Sequence, residues 1–254
     1  MSTRSTLLVR RLLSTTNISP TSLLSTTQRG TAFEGRSLNI LHDHMSMSLR
    51  RVGGKSDGGI DLLGWWWLPS IDPSASERRH RRIRVIAQCK AEKKKTSPKY
   101  VRELEGVLHR FMPLSPSPDG SIDSETTDLF PTSESPSSQH PIVALLISES
   151  PFTKSTVLRA QSSPVPFFLL YIPPAQSSTD RDCIGAAVWN PALAGVRGLL
   201  GGEFETRWER SPSGGGRPGL WWRNQKLKSC IPEVDSSVSH NLSLASESNE
   251  ISHA

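Results

Sequence analysis

The sequence predicts an α/β fold, because segments with the helical period of apolar residues alternate with short segments typical of strands. Residues 141–148 and 165–172 are apolar runs typical of buried strands, and a helical segment at 153–161 separates them. A strand, a helix and a second strand in this order predict a parallel crossover. An earlier strand is predicted at 83–90, where alternate residues are apolar. We therefore expect a mixed sheet flanked by helices.

The composition restricts the possible classes of protein. Of 254 residues, 35% are hydrophobic and 21% charged, so part of the chain is expected to lie outside the core. The net charge of +6 suits a polyanionic partner. Three widely spaced cysteines, Cys89, Cys183 and Cys230, exclude a zinc ribbon or a disulfide framework and favour a reducing compartment. No apolar run approaches the length of a transmembrane helix.

The N-terminal segment has the composition of a targeting peptide. Residues 1–33 contain several arginines, among them Arg4, Arg10 and Arg29, with many serines and threonines and no acid. This pattern predicts a mitochondrial transit peptide at 1–30 and a location in the mitochondrion, in its matrix. The alternative is a disordered basic tail without a targeting role.

A helix is predicted from residue 34 to residue 52, where the first acid of the chain appears. Glu34, Leu38, Leu41 and Met45 recur at helical spacing and share one face. Glu34 therefore projects on the apolar side. It is either a first-turn acid favoured by the helix dipole or an acid directed into a site.

The next segment combines a glycine-rich turn with a strand. Residues 53–59 contain Gly-Lys-Ser, but Leu49 stands where a phosphate-binding loop needs its first glycine, so that motif is excluded. Residues 60–67 predict a strand on which Asp61 faces away from its apolar neighbours. The three tryptophans at 65–67 are expected to cap the core, with base stacking as the alternative.

Two polar side chains lie at the C-terminal end of the predicted strand at 83–90. Gln88 and Lys90 lie side by side on its second face, and a buried lysine needs an acidic partner, for which Asp61 is the candidate. Basic runs at 78–84 and 90–95 are predicted to bracket this site and to favour contact with phosphate. The alternative for each run is a solvated face.

Composition divides the chain into one domain at 31–232 and a disordered tail at 233–254. Within the domain, a helix is predicted to begin at Pro98 and a disordered insertion is predicted at 113–140. Weak strands are predicted at 187–191 and 203–208, within a Trp-rich C-terminal extension.

Taken in this order, the elements resemble the PD-(D/E)XK nuclease superfamily, specifically the branch of Mrr-type restriction endonucleases. The resemblance rests on Ser56–Asp61, on Gln88–Lys90 and on the strand-to-helix corner Leu146–Lys154. It implies a restriction-endonuclease-like core of order αβββαβ. One departure is Gln88, where the superfamily name expects an acid, although glutamine is usual in the Mrr-like branch.

A closer resemblance is to the fungal mitochondrial proteins called "required for respiratory growth". It rests on the N-terminal composition together with Ala91–Lys95 and Pro98–Gly106, and it covers about residues 33–172. The Trp-rich C-terminal part resembles that family only.

The resemblance implies a catalytic set formed by Glu34, Asp61, Gln88 and Lys90. It also implies a Mg²⁺ or Mn²⁺ ion held by Asp61, the Gln88 amide oxygen, the Cys89 backbone carbonyl and Glu34. Lys90 is expected to orient the attacking water and offset developing charge. The Cys89 side chain is expected to fill the core.

The leading hypothesis is a metal-dependent mitochondrial nuclease that acts in genome maintenance and respiratory growth, with DNA favoured over RNA as substrate. A second hypothesis is a non-catalytic mitochondrial nucleic-acid-binding factor with the nuclease fold. A third is an α/β domain in which Asp61 and Lys90 form a structural pair.

Overall fold

The computed structural model describes residues 25–52, 59–70, 80–111, 140–175, 183–210 and 216–232. The predicted transit peptide up to residue 24, nearly all of the predicted insertion and the predicted C-terminal tail lie outside these ranges.

The described residues form four helices and nine strands. In chain order these are α1 (Thr26–Met45), β1 (Met47–Arg51), β2 (Leu62–Pro69), β3 (His80–Lys90), α2 (Pro98–Phe111), β4 (Ile142–Ser148), α3 (Lys154–Gln161), β5 (Phe167–Tyr171), β6 (Ala186–Trp189), α4 (Pro191–Ala194), β7 (Phe204–Arg210), β8 (Gly216–Trp222) and β9 (Gln225–Lys226).

A six-stranded mixed sheet organises the fold. Its strand order is β1-β2-β3-β4-β5-β6, with β3, β4 and β5 mutually parallel and the remaining pairs antiparallel. The predicted α/β class with a mixed sheet and flanking helices is confirmed. The predicted parallel crossover is confirmed as well, because α3 connects the parallel strands β4 and β5.

Each face of this sheet carries its own apolar core, as strand alternation requires. On one face, α1 packs over the residues that were predicted to share a side of β3, including Ile83, Val85 and Ala87. On the other face, α2 and α3 cover Leu63 and Ile86. A side chain at the end of β3 therefore lies on either the α1 side or the α2 side of the sheet.

The predicted helix at 34–52 is wrong at its C-terminal end, and the predicted boundary of the transit peptide at residue 30 falls inside α1. The helix begins after Ser25, whose side chain forms a capping box with Gln28. It stops at Ser46, which adopts φ 56° and donates its N–H to the carbonyl of Leu41. This left-handed cap reverses the chain into edge strand β1.

The tryptophans at 65–67 lie within β2 and do not cap its end, which corrects the prediction. Trp66 is fully buried and contacts Phe168 and Trp189. Trp65 and Trp67 face the other side of the sheet, where they are only partly buried. Alternation therefore gives the three adjacent indoles two different environments.

A second, three-stranded sheet of order β7-β8-β9 forms most of the Trp-rich extension. Its Phe204 and Leu220 join the core on the α1 side of the main sheet. Among the described helices, none is both long and apolar enough to cross a membrane.

Candidate functional site

Gln88 occupies the end of β3 and is 5% exposed. Its Nε2 donates a hydrogen bond to the carbonyl of Gly59 at 3.0 Å. Its Oε1 is buried and has no hydrogen-bond partner among the described residues. A buried acceptor without a partner costs free energy, so this oxygen is suited to a ligand that donates a proton or accepts a lone pair.

Asp61 lies directly before β2 and against the end of β3. The backbone N–H of Cys89 donates to Asp61 Oδ2 at 2.6 Å, and the N–H of Asp61 donates to the carbonyl of Ala87 at 2.9 Å. These bonds fix the carboxylate beside the Gln88–Cys89 segment. The structure thus places the Asp61 carboxylate against the backbone of the segment that carries Gln88.

The Cys89 side chain belongs to the core on the α1 side of the sheet. Burial raises the pKa of its thiol well above the ordinary value, and the charges of Asp61 and Glu34 raise it further. The thiol is therefore neutral at physiological pH. This agrees with the expectation that Cys89 fills the core and is not a nucleophile.

Lys90 turns toward α2. Its Nζ lies 4.9 Å from the centre of the Tyr100 ring, a cation–π distance. The Tyr100 hydroxyl donates to a carboxylate oxygen of Glu92, and this bond, with a smaller effect of burial, raises the pKa of Tyr100 to about 12. The ammonium thus lies on a neutral aromatic ring beside the end of β3.

Glu34 lies on α1 and forms an ion pair with an exposed arginine of β1. Arg51 Nε donates to Glu34 Oε2 at 2.7 Å, and the Glu34 side chain is 19% exposed. Arg51 is paired with Leu62, and Leu62 with Ala87, so the Glu34 carboxylate lies near this end of the sheet. The structure therefore brings Glu34 to the α1 side, whereas Lys90 lies on the α2 side.

Sequence reasoning missed an ion pair at the same end of the sheet. Glu149 follows β4, is 7% exposed, and donates its N–H to the carbonyl of Lys90 at 3.0 Å. Its carboxylate accepts from Arg29 of α1, whose Nε lies 3.0 Å away. Glu149 belongs to the strand-to-helix corner Leu146–Lys154 that carries the resemblance, whereas Arg29 lies in the segment predicted to be a transit peptide.

The donor types at this end fit a small, hard cation. Carboxylate and amide oxygens are ligands that Mg²⁺ accepts, and it retains several waters when bound through few protein groups. Two observations support this fit: Gln88 Oε1 is buried without a hydrogen-bond partner among the described residues, and the Asp61 carboxylate accepts from the N–H of the next residue, Cys89. Within the described ranges, no cluster of three or more His, Cys, Asp or Glu side chains forms a metal site. The fit therefore rests on one carboxylate and one amide.

The two basic runs do not bracket one site, which corrects the expectation from the sequence. Arg82 lies at the beginning of β3 and Lys90 at its end. Eight residues of extended chain separate them by about 27 Å. The positive charge is thus divided between two ends of the sheet.

Comparison with known proteins supports the resemblance to the respiratory-growth family for part of the chain. The family model described as "Required for respiratory growth protein 7" matches residues 25–119. An uncharacterized mitochondrial protein of Schizosaccharomyces pombe is 36% identical over 89 residues, which are 34% of this chain and 32% of that protein. The match therefore spans about a third of either protein. The predicted location in the mitochondrion is confirmed by these two findings.

No solved structure matches the chain. The matched region begins where α1 begins and contains β1, β2, β3 and α2. It includes Glu34, Asp61, Gln88 and Lys90, so all four predicted site residues lie within the part that resembles the family.

Proposed function

We propose that this protein is a metal-dependent phosphodiesterase of the mitochondrion that acts on nucleic acid, with a core of the restriction-endonuclease type. The observation that carries the proposal is the arrangement of Asp61 against Gln88–Cys89, with the buried Gln88 Oε1 lacking a hydrogen-bond partner among the described residues. The element order α1-β1-β2-β3-α2-β4 supports it, because it follows the αβββαβ order that the resemblance implies.

Asp61 and the Gln88 amide oxygen would hold the ion, with the Cys89 carbonyl as a third donor. When bound, a divalent ion supplies polarisation of the phosphoryl oxygen and a water of lowered pKa. Lys90 would place a positive charge where negative charge develops on the phosphate, a role that needs no proton transfer. Glu34, held by Arg51, would orient water at the edge of the site.

A second candidate function is supported by a specific observation. Arg51 already neutralises Glu34, and Lys90 is directed to the Tyr100 ring, so two of the four predicted residues have structural contacts of their own. These contacts favour a nucleic-acid-binding factor that keeps the nuclease core without turnover. It would bind nucleic acid equally well with and without a divalent ion.

Cleavage by the full chain distinguishes the two candidates. We expect the purified protein to cut a DNA duplex, or failing that an RNA, in the presence of Mg²⁺ or Mn²⁺ and not in EDTA. Asp61→Asn keeps an acceptor for the Cys89 N–H while removing the charge, so it should lose cleavage by at least about 100-fold while its midpoint of unfolding stays close to the parent. Binding of nucleic acid without cleavage under either ion would reject the enzyme and favour the second candidate.

A further inference from the structure

The end of the sheet opposite the candidate site carries a second charged feature. It is an open cleft of about 480 Å³. The residues that line it are Trp67, His80, Arg81, Arg82, His140 and Pro141. None of these lining residues is acidic, and two are arginines. The cleft is therefore suited to an anion.

An aromatic ring fixes the arginine side chains beside the cleft. The guanidinium carbon of Arg82 lies 4.6 Å from the centre of the Trp65 ring, and that of Arg84 lies 5.5 Å from it. The imidazole of His140 packs edge-on against the same indole, with ring centres 5.0 Å apart. A guanidinium stacked on a ring has little rotamer freedom left, so it loses less entropy when it binds a phosphate.

Arg81, the residue before Arg82 in β3, adds a second positive charge to the cleft. Burial lowers its pKa from the ordinary value, but an arginine remains a cation. Within the described part of the chain, no acid contributes to that shift. A half-buried cation that has no acidic partner is stabilised when an anion binds beside it.

Strand register places part of this cleft on the same side of the sheet as the candidate site. Trp65 pairs with Arg84 and Leu63 pairs with Ile86, so the alternate residues Arg82, Arg84, Gln88 and Lys90 share one face. On the edge strand β1, the exposed Arg50 is paired with Leu63 and so stands between the two ends. Between Arg84 and Gln88 this face carries Ile86, which is buried in the core that α2 and α3 cover, so the positive side chains form two groups, one at the cleft and one at Lys90.

We propose that this cleft binds backbone phosphates of the same nucleic acid that reaches the Asp61–Lys90 end. The inference rests on the nucleic-acid partner of the proposed function, but not on catalysis. The separation of about 27 Å between the ends corresponds to about 8 base pairs at 3.4 Å each. Short nucleic acids should therefore engage one end, and longer ones should engage both.

Binding of two DNA hairpins, with stems of about 5 and about 14 base pairs, tests this inference. The assay uses the full chain in EDTA, so that no cleavage occurs. The variants are Arg81→Gln and Arg82→Gln. The control is Arg197→Gln, which removes the same charge from an exposed position after α4. The midpoint of unfolding of each variant shows whether it is folded. If the loss of stacking on Trp65 unfolds Arg82→Gln, the comparison rests on Arg81→Gln alone.

We expect each cleft variant to bind the long stem about 3- to 10-fold more weakly than the control. Its slope of log affinity against log salt should fall by about one, because one fewer counterion is released. The short stem should be affected by less than about twofold, since it can bind at the other end alone.

Equal affinity and equal salt slope for both cleft variants and the control would overturn the inference while leaving the proposed function intact. Failure of the parent protein to bind either stem would reject the nucleic-acid partner, and the inference would fall with it. Binding that depends on Arg81 or Arg82 in a protein that never cleaves would support the inference and reject catalysis alone.

Discussion

The position of Gln88 depends on an unusual backbone conformation at Gly59, which lies just before the preceding strand β2. Gly59 adopts φ 85°, in the left-handed region that side chains disfavour, and presents its carbonyl to Gln88 Nε2. A Cβ at this position would lie 3.2 Å from that nitrogen. The glycine therefore fixes the amide so that Oε1 points away from Gly59.

Replacing this glycine should cost stability. We expect Gly59→Ala to lower the free energy of unfolding by about 1–2 kcal/mol, because an L-residue is strained at this φ. The matched control is Gly106→Ala in α2, where nothing lies within 4 Å of the added Cβ. That change should raise the free energy of unfolding by about 0.5–1 kcal/mol. Urea unfolding of both variants measures the difference, and equal effects would show that the turn at Gly59 has another conformation.

The buried thiol of Cys89 gives a second test at the scale of the residue. Because burial and the nearby carboxylates raise its pKa in the folded state, the neutral thiol stabilises the fold below the unfolded pKa, and this contribution is lost as pH rises toward the folded value. Stability should therefore decline as the pH passes about 8.5, the ordinary value for cysteine.

Alkylation of the native protein measures the state of this thiol directly. We expect iodoacetamide at pH 8 to modify Cys89 more slowly than Cys183 by at least about 10-fold, and to modify it readily after unfolding. Peptide mass spectrometry separates the three cysteines. Rapid native labelling of Cys89 would contradict its assignment as a core residue.

At the scale of the element, one side chain connects the end of β6 to the segment between α3 and β5. Asn190 is 2% exposed, and its Oδ1 accepts from the backbone N–H of Phe167 and of Leu193. Its Nδ2 donates to the carbonyls of Ala160, Ser163 and Val165. Such a fully satisfied buried amide fixes several elements in one arrangement.

We expect Asn190→Ala to lower the free energy of unfolding by about 3 kcal/mol or more, since it leaves several buried backbone groups without partners. Asn39→Ala is the matched control, because Asn39 lies on the exposed side of α1 and alanine favours a helix. Thermal unfolding of the two variants provides the comparison. A loss below about 1 kcal/mol would mean that water replaces the amide.

Element prediction from the sequence succeeded where one period dominated. The apolar runs of β4 and β5 and the short helix between them left one interpretation. The stretch from Met45 to Arg51 allowed two interpretations, because its few apolar residues fit the spacing of a helix and that of a strand. The left-handed conformation of Ser46 decided between them, and a serine gives no sequence signal for it.

At the scale of the whole molecule, the need of Lys90 for an acidic partner predicted that Asp61 would lie near the end of β3, where its carboxylate accepts from the Cys89 N–H. The sequence could not predict which of the site side chains already have partners, because those partners belong to other helices and strands. Arg51 reaches Glu34 from edge strand β1, and Tyr100 reaches Lys90 from α2. The separation of the basic runs was already implied by the predicted strand at 83–90, because an extended strand of this length holds its two ends far apart.

Binding of Mn²⁺ to the full chain, measured by the relaxation rate of solvent water, tests the central claim most directly. We expect the parent protein to bind the ion, Asp61→Asn to weaken binding by about 10- to 100-fold, and Lys90→Gln to change it by less than about threefold, since an ammonium is not a ligand. Urea unfolding of the same variants controls for the fold. Equal Mn²⁺ affinity for the parent and a folded Asp61→Asn, or no binding by the parent, would contradict a metal site at Asp61 and Gln88.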